Sequence, residues 1–283
     1  MSDSYDVGIQ TVIGLELQAI QKQFQIDNDS DRFYQDGDIY WRKTLSRATK
    51  PPLEILLYCQ GEQGNHAASN AATKCIERFA PHFLVLSGIA AGRRDKVKIG
   101  DVAIPRVIAD LTVEVAQNND KLSRPKIPSL PHPVLQLLRA FDLRKHLENW
   151  HTNFLSVVGN LPAPPQGKEQ DYAKYVSTTP QLHEVAIASD DVLIRDPNHL
   201  PILANTIHQQ IYIGEMEAAG FVGACLARSP ITPWFVVRGV SDFGDDFKDD
   251  NFHWLASCSA ASYLYQFLSH ALDLQIFDSK KKT

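Results

Sequence analysis

Short runs of apolar residues alternate along this chain with stretches of helical periodicity, and this alternation restricts the possible folds more than any other feature. The apolar runs, rich in β-branched residues, cover positions 5–13, 53–59, 82–87, 102–108, 184–189 and 234–240. Runs of this length are typical of strands that are covered on both faces. Helical patterns occupy positions 65–79, 217–227 and 254–272. The alternation predicts a layered α/β fold with a largely parallel or mixed sheet.

The segment from about 111 to 180 breaks this rhythm, because prolines are concentrated in it. Proline fixes φ and removes a backbone hydrogen-bond donor, so the segment predicts an irregular course over the surface. One helix is expected within it, near 134–147. We interpret the whole chain, 1–283, as a single domain with a Pro-rich insertion at about 111–180.

Composition and charge argue against several classes of protein. The 283 residues carry a formal net charge of −5, whereas a nucleic-acid surface normally needs a broad basic face. No apolar run approaches the ~20 residues of a membrane span, and positions 1–6 lack the pattern of a secretory signal. The cysteines are scattered, without the close pairs of zinc sites: Cys59, Cys75, Cys225 and Cys258. We therefore expect a cytoplasmic protein with reduced thiols, no metal or other cofactor, and no nucleic-acid or membrane partner.

Four short segments place glycines or acidic residues where a predicted strand ends, which is where open α/β sheets bind ligands. The first contains Glu16, and the second has small residues that let backbone amides approach a ligand closely. The third and fourth carry carboxylates. Together the segments supply these candidates: Glu16, Gly88, Ile89, Ala90, Glu215, Met216, Glu217, Ser241 and Asp242. Taken singly, each has an ordinary alternative, such as a tight turn or a solvated glutamate at a helix start.

The chemistry of these side chains indicates what they could bind. A buried carboxylate needs a partner, and ribose hydroxyls are suitable donors to Glu215 and Glu217. Asp242 ends a buried strand, where desolvation favours a protonated carboxyl group that can donate to a leaving group. Arg93 and Arg94 follow the second segment, where they are either solvated or able to bind a phosphate.

In their order along the chain, these segments resemble those of the nucleoside phosphorylase and nucleosidase superfamily. The order is a strand followed by Glu16, then Gly-Ile-Ala-Ala-Gly with Ile-Gly-Asp-Val, then Glu-Met-Glu-Ala-Ala-Gly, and then Arg-Gly-Val-Ser-Asp. The last two motifs are highly specific, and the resemblance covers most of the chain except the insertion. It implies a nucleoside phosphorylase-like fold with three layers, α/β/α, and a central mixed, largely parallel sheet.

Within this superfamily the chain is more similar to methylthioadenosine/S-adenosylhomocysteine nucleosidases than to phosphorylases. Phosphorylases of this group carry Gly-Asp-Pro and a following Arg near the first strand to bind phosphate, where this chain has Gly14-Leu15-Glu16-Leu17. The resemblance therefore implies hydrolysis over phosphorolysis. Two positions depart from the nucleosidase pattern, because Ile89 replaces a small polar residue and Asp190 replaces a usual glycine.

The resemblance also implies roles for individual residues. Glu16 would activate the attacking water, Asp242, oriented by Ser241, would protonate purine N7, and Glu217 would accept hydrogen bonds from ribose hydroxyls. The remaining assignments are Met216 and Glu215 at the ribose, Val192, Leu193 and Ile194 at the base, Gly88, Ile89 and Ala90 as a backbone loop, and Arg93, Arg94 and Arg195 at phosphates.

The chain also resembles phosphorylase-like effectors of bacterial antiphage systems, some of which cleave adenine nucleotides. We therefore expect hydrolysis of the N-glycosidic bond of an adenine nucleoside or nucleotide, with ATP and AMP among the candidates, water as co-substrate and adenine released. The alternatives are a methylthioadenosine/S-adenosylhomocysteine nucleosidase, a purine nucleoside phosphorylase and an inactive nucleotide sensor. Superfamily members are usually homo-oligomers, which implies a dimer or hexamer, and an antiphage effector would have a defence-system partner protein.

Overall fold

The computed structural model describes residues 5–112, 114–117, 120–123, 125–245 and 250–277. Positions 1–4, considered above for a secretory signal, lie outside these ranges. The strands are β1 (Val7–Thr11), β2 (Arg32–Gln35), β3 (Asp38–Leu45), β4 (Leu53–Cys59), β5 (Phe83–Gly92), β6 (Val102–Asp110), β7 (Glu114–Gln117), β8 (Asp120–Ser123), β9 (Leu182–Ser189), β10 (Ile211–Glu215) and β11 (Trp234–Asp242). The α-helices are α1 (Gly14–Phe24), α2 (Asn65–Phe79), α3 (His132–Ala140), α4 (Leu147–Val158), α5 (Glu169–Tyr175), α6 (His199–Thr206), α7 (Ala218–Leu226) and α8 (Asn251–Gln266).

The central sheet has the strand order β10-β9-β6-β11-β5-β1-β4-β3-β2, while β7 and β8 form a separate hairpin. β1 pairs in parallel with β4 and β5, β5 with β11, and β9 with β6 and β10. β6 and β11 form an antiparallel pair. At one edge of the sheet, β3 is antiparallel to β4 and β2 is antiparallel to β3. β10 also pairs with β5, which closes part of the sheet on itself. The α/β fold with a mixed, largely parallel sheet is confirmed.

Two groups of helices cover this sheet and complete the three-layer arrangement. α2 packs against α7, whereas α1 and α4 pack against α8. Every residue of β1 and β11 is buried, as expected for strands covered on both faces. The contact between α2 and α7 is close at Gly220, where a Cβ atom would lie 1.9 Å from the carbonyl oxygen of Asn65. Small residues in α7 therefore bring the two helices together over the sheet.

Several elements differ from their predicted bounds. The strand at 53–59 and the helix at 65–79 are confirmed. The strand expected at 82–87 runs on to Gly92, so the small residues after Ser87 are not a turn. They continue β5 because β11 pairs with it as far as Ala91, and β10 pairs with Ala91 and Gly92. β2 and β3 were not predicted, because no continuous apolar run covers them; β2 has no buried residue and β3 has three.

The segment 111–180 is more regular than its prolines indicated. The helix expected near 134–147 is divided into α3, a 3₁₀ turn (Leu143–His146) and α4. The expected irregular surface course is wrong for α4, since Trp150 is fully buried and its indole N–H donates to Ser262 Oγ at 3.0 Å. Pro131 and Pro133 do not prevent α3, because they stand at its beginning, where backbone N–H groups have no intrahelical acceptor.

Candidate active site

A cavity of about 650 Å³, including its open mouth, lies where several parallel strands end. It brings together all of the predicted catalytic, ribose-binding and base-binding residues and two of the three predicted in the backbone loop: Glu16, Ile89, Ala90, Val192, Leu193, Ile194, Glu215, Met216, Glu217, Ser241 and Asp242. These residues come from distant parts of the chain, and the ends of β1, β5, β10 and β11 bring them to one place.

Glu16 is held at the start of α1 by backbone donors. Its Oε2 accepts from the N–H groups of Val12 at 2.7 Å and Ile13 at 3.1 Å, and its Oε1 accepts from the N–H of Ile89 at 2.9 Å. Burial raises the pKa of the Glu16 carboxyl above its usual range, while the nearby Arg238 and the three N–H groups oppose that rise. Glu16 is thus a fixed, buried carboxyl group whose basicity exceeds that of a solvated glutamate.

Arg238 links the acids of the Glu-Met-Glu motif. The side chain lies in the middle of β11, is fully buried, and donates through Nη2 to Oε2 of Glu215 and, at 3.1 Å, to Oε2 of Glu217. Glu217 also accepts from the N–H of Gly64 at 3.1 Å. Burial raises the pKa of Glu217 to about 7, although Arg238 acts in the opposite direction. Glu217 therefore titrates in the physiological range.

Glu215 differs from its expected role at the ribose. Its oxygens accept from the N–H of Glu217 at 3.0 Å and from the N–H of Ala218 at 2.9 and 3.1 Å, in addition to the ion pair with Arg238. A carboxylate at this place caps the beginning of α7 and satisfies its first backbone donors. Glu215 lines the cavity, but the protein's own donors already engage both of its oxygens.

Asp242 stands at the end of β11 with both oxygens engaged. Ser241 Oγ donates to Oδ2 at 2.8 Å, and the N–H of Gly244 donates to Oδ1 at 2.7 Å. The residue is 5% exposed, and that small fraction faces the cavity. The orientation by Ser241 that the sequence predicted is present. A carboxyl group fixed in this way can hold or release a proton towards a bound ligand.

The segment 192–194 forms an apolar wall of the cavity. Ile194 packs so closely on the strand ends that a Cβ atom at Gly214 or Gly244 would lie 2.5 or 2.6 Å from its side chain. Val192 and Leu193 are 54% and 46% exposed at the mouth. Asp190, which replaces a usual glycine, keeps a negative φ, so the exchange requires no left-handed backbone.

Gly88 does not line the cavity but lies next to Glu16, which lines it, and to the buried Arg238, which does not. A Cβ atom at this position would stand 2.1 Å from Nη1 of Arg238 and 2.7 Å from Oε1 of Glu16. A side chain here would displace both. The glycine is therefore required for the close approach of Arg238 and Glu16, which differs from the backbone contact with a ligand that was expected for it.

The three arginines expected at phosphates are not among the residues that line the cavity. Arg93 binds Asp95, with Nη2–Oδ2 at 3.0 Å, and Arg94 forms an ion pair with Asp245. Arg195 is exposed. The charges of Arg93 and Arg94 are thus balanced by neighbouring carboxylates, which the sequence could not indicate.

The sequence interpretation missed three residues of the site. Arg238 was named only as part of the Arg-Gly-Val-Ser-Asp motif. A single charged residue within an apolar strand nevertheless requires a buried partner. Gln63 and His253 also line the cavity, and they lie in segments whose patterns gave no signal. Within the described part of the chain, no group of three His, Cys, Asp or Glu side chains could hold a metal ion. The described helices include none that is both long and apolar enough to cross a membrane.

A family model described as the Phosphorylase superfamily matches residues 11–269. The chain belongs to this superfamily. The match includes all of the acids that meet in the cavity. It also extends across the segment 111–180.

Among similar proteins, an Escherichia coli protein named ATP nucleosidase Cap17 is 33% identical over 93% of this chain and 50% of its own length. A Death domain-containing ATP nucleosidase of Amphimedon queenslandica is 26% identical over 87% of this chain and 44% of its own length. The chain thus spans about half the length of these relatives. A methylthioadenosine/S-adenosylhomocysteine nucleosidase of Colwellia psychrerythraea, solved with adenine, has a TM-score of 0.66 at 17% identity, with 95% of this chain and 96% of that chain covered.

Proposed function

We propose that this chain is a nucleosidase that hydrolyses the N-glycosidic bond of an adenine nucleoside or nucleotide and releases adenine. The observation that carries the proposal is the convergence of Glu16, Glu217 and Asp242 in one cavity. The names of the two relatives above support it, because both describe nucleosidases of an adenine nucleotide.

In the proposed reaction, Asp242 and Glu217 act on the two parts of the substrate where charge develops. Cleavage of the bond builds positive charge on the ribose and negative charge on the departing purine. Asp242, oriented by Ser241 and Gly244, donates its proton to purine N7 and neutralises the leaving group. Glu217 accepts hydrogen bonds from the ribose 2′ and 3′ hydroxyls and stabilises the developing cation. Met216 packs against the sugar, and the wall at 192–194 packs against the base.

The nucleophile in this proposal is water, which Glu16 deprotonates as it attacks C1′. A phosphate nucleophile would need cationic partners, and no Lys or Arg side chain lines the described cavity. This lining favours hydrolysis over phosphorolysis.

A panel of substrates tests this proposal. We expect adenine to be released from ATP and AMP without added phosphate, with free ribose phosphates as the second product and chromatography of adenine as the measurement. The Asp242→Asn protein, prepared in parallel, is the control for contaminating activities. A requirement for inorganic phosphate with formation of ribose 1-phosphate would show a phosphorylase. Measurable nucleotide binding without cleavage of any substrate would show an inactive sensor.

The second candidate is a methylthioadenosine/S-adenosylhomocysteine nucleosidase. It is favoured by the apolar mouth at Val192 and Leu193, since a thioether substituent needs an apolar surface. It is also consistent with the fold shared with the Colwellia psychrerythraea enzyme. Cleavage of methylthioadenosine but not of ATP or AMP in the same panel would establish this candidate and contradict the nucleotide substrate.

The assembly and biological setting belong to the proposal as well. We infer a homo-oligomer, a dimer or a hexamer, because Leu15, Val192 and Leu193 leave apolar surface exposed in the region of the cavity. The resemblance to antiphage effectors implies a role in defence with a partner protein. Size-exclusion chromatography with light scattering tests the first inference, and a monomer at micromolar concentration would contradict it.

The pH dependence of the reaction follows from Glu217. Burial raises its pKa to about 7, and only the ionised carboxylate accepts hydrogen bonds from both ribose hydroxyls. The ionised fraction grows as the pH rises through 7, so kcat/KM should rise about tenfold for each pH unit between 5.5 and 6.5 and level off above pH 7.5. Initial rates across pH 5.5–8.5 measure this effect. Glu217→Gln should abolish this rise of kcat/KM with pH as well as most of the activity. A wild-type kcat/KM that does not change with pH would contradict the role of Glu217.

A further inference from the structure

We propose that Arg94 is a positioning residue for Asp242, acting through the turn at residues 243–245. The inference rests on the proposed function in one respect, because it takes Asp242 as the acid of the reaction. It replaces the phosphate-binding role that the sequence suggested for Arg94. The argument depends on contacts of the guanidinium group, the geometry of the turn and the anchoring of α5.

The guanidinium group of Arg94 holds both ends of this turn. Its central carbon lies 5.0 Å from the ring centroid of Phe243, and the group forms an ion pair with Asp245. The side chain of Asp245 is only 8% exposed, whereas that of Arg94 is 36% exposed, so one partner of the pair is shielded from solvent. A partly buried pair with a stacked ring is worth more than the usual surface salt bridge.

The residue between these two contacts is the one that binds the acid. Gly244 has a φ of +63°, and its N–H donates to Oδ1 of Asp242 at 2.7 Å. A glycine in this left-handed conformation has other backbone states at little cost, so its neighbours must fix the direction of its N–H. Arg94 contacts both neighbours of Gly244, Phe243 and Asp245. The orientation of the Asp242 carboxyl group therefore depends on Arg94.

The guanidinium group of Arg94 also contacts the segment 111–180. Tyr175, the last residue of α5, has its ring centroid 4.6 Å from the central carbon of Arg94. The carbonyl of Tyr175 accepts from the N–H of Ile99 at 2.7 Å, and the N–H of Ser177 donates to the carbonyl of Ile99 at 2.8 Å. Ile99 belongs to the same connection between β5 and β6 as Arg94. The end of α5 and Arg94 are thus fixed to one another, and this gives the inserted segment a part in supporting the acid.

A positioning role and a phosphate role predict different kinetic changes. A residue that binds a phosphate contributes to KM for nucleotides and leaves a nucleoside substrate unaffected. A residue that orients Asp242 contributes to kcat for every substrate, because misplacement of a reacting group by 1 Å costs about 10²-fold in rate. The comparison of ATP with adenosine therefore separates the two roles.

The test compares Arg94→Ala and Asp245→Asn with wild type and with Arg228→Ala. Arg228 is a matched control, because it is 35% exposed, against 36% for Arg94, and forms one ion pair, with Glu77, away from the cavity. We expect kcat to fall about 10–100-fold in both variants of the pair for each substrate that the wild type cleaves, with KM changed less than threefold. Arg94→Lys keeps the charge but not the planar stacking, so it should recover only part of the rate. Arg228→Ala should stay within twofold of wild type.

Amide hydrogen exchange gives a readout that does not depend on turnover. Exchange in the peptide 241–245 should be about tenfold faster in Arg94→Ala and unchanged in Arg228→Ala, even if the wild type proves inactive on the whole panel and the proposed function fails. Unchanged exchange in this peptide would overturn the proposal. So would a rise in KM for ATP alone with adenosine turnover unaffected, which would assign Arg94 to phosphate binding.

Discussion

Replacement of Asp242 by asparagine should lower kcat for adenine release by about 10²–10⁴-fold while the fold stays intact. The amide is close in shape to the carboxyl group, and its oxygen can still accept from the N–H of Gly244 or from Ser241 Oγ. It has no proton that can be transferred to purine N7 at neutral pH. The loss should therefore appear in kcat, measured by chromatography of adenine at saturating substrate, with the thermal unfolding temperature within a few degrees of wild type.

A matched variant shows whether the effect belongs to this carboxyl group. Asp29→Asn makes the same chemical change at a side chain that is 86% exposed and remote from the cavity, and it should leave kcat unchanged. Ser241→Ala should lie between the two, because it removes one of the two hydrogen bonds that orient Asp242. If Asp242→Asn turned over at the wild-type rate, the assigned acid would be refuted and with it the direction of proton transfer.

The sequence predicts the fold class and the acids that meet in the cavity, but not every element around them. The acids Glu16, Glu217 and Asp242 could be found because each follows a continuous apolar strand run or lies within a specific motif. β10 could not be separated from its surroundings, since its five residues have no distinct pattern. The hairpin of β2 and β3 lies at the sheet edge, where one face is open and the apolar run that marks buried strands is absent.

The roles of the arginines could not be predicted from the sequence, and the reason is physical. The side chain that neutralises Arg94 lies 151 residues away in the sequence, and nothing local indicates that Asp245 turns towards it. Arg93 and Arg94 look equivalent in sequence, but only Arg94 reaches the turn beside Asp242. At Glu215 nothing in the sequence indicated that the N–H of Ala218, at the beginning of α7, donates to the carboxylate. Charged residues in the sequence can indicate a site, but the role of each one depends on the groups with which it forms ion pairs and hydrogen bonds.

Replacement of Arg238 by methionine should be the most destabilising single change at the site. Arg238 is fully buried and is the shared cation of Glu215 and Glu217, with Glu16 nearby. Removing one partner of a buried ion pair costs about 3–5 kcal/mol, because the remaining charges are left uncompensated. We expect a loss of this size at pH 8 in the free energy of unfolding, measured by urea denaturation, together with the loss of activity.

The sign of the pH dependence distinguishes this cause from a simple packing defect. Arg238 lowers the pKa of Glu217, which burial raises, so its removal should raise that pKa further above the ordinary 4.5. A carboxyl group with a raised folded-state pKa loses stability as the pH rises from its unfolded value towards its folded one. The deficit of Arg238→Met relative to wild type should therefore shrink as the pH falls from 8 to 5.5. Arg238→Lys, which keeps the charge but not the forked geometry, should show a smaller deficit with less pH dependence. A deficit of the same size at both pH values would indicate lost packing and would contradict the role of Arg238 as the cation that permits two carboxylates to be buried at the cavity.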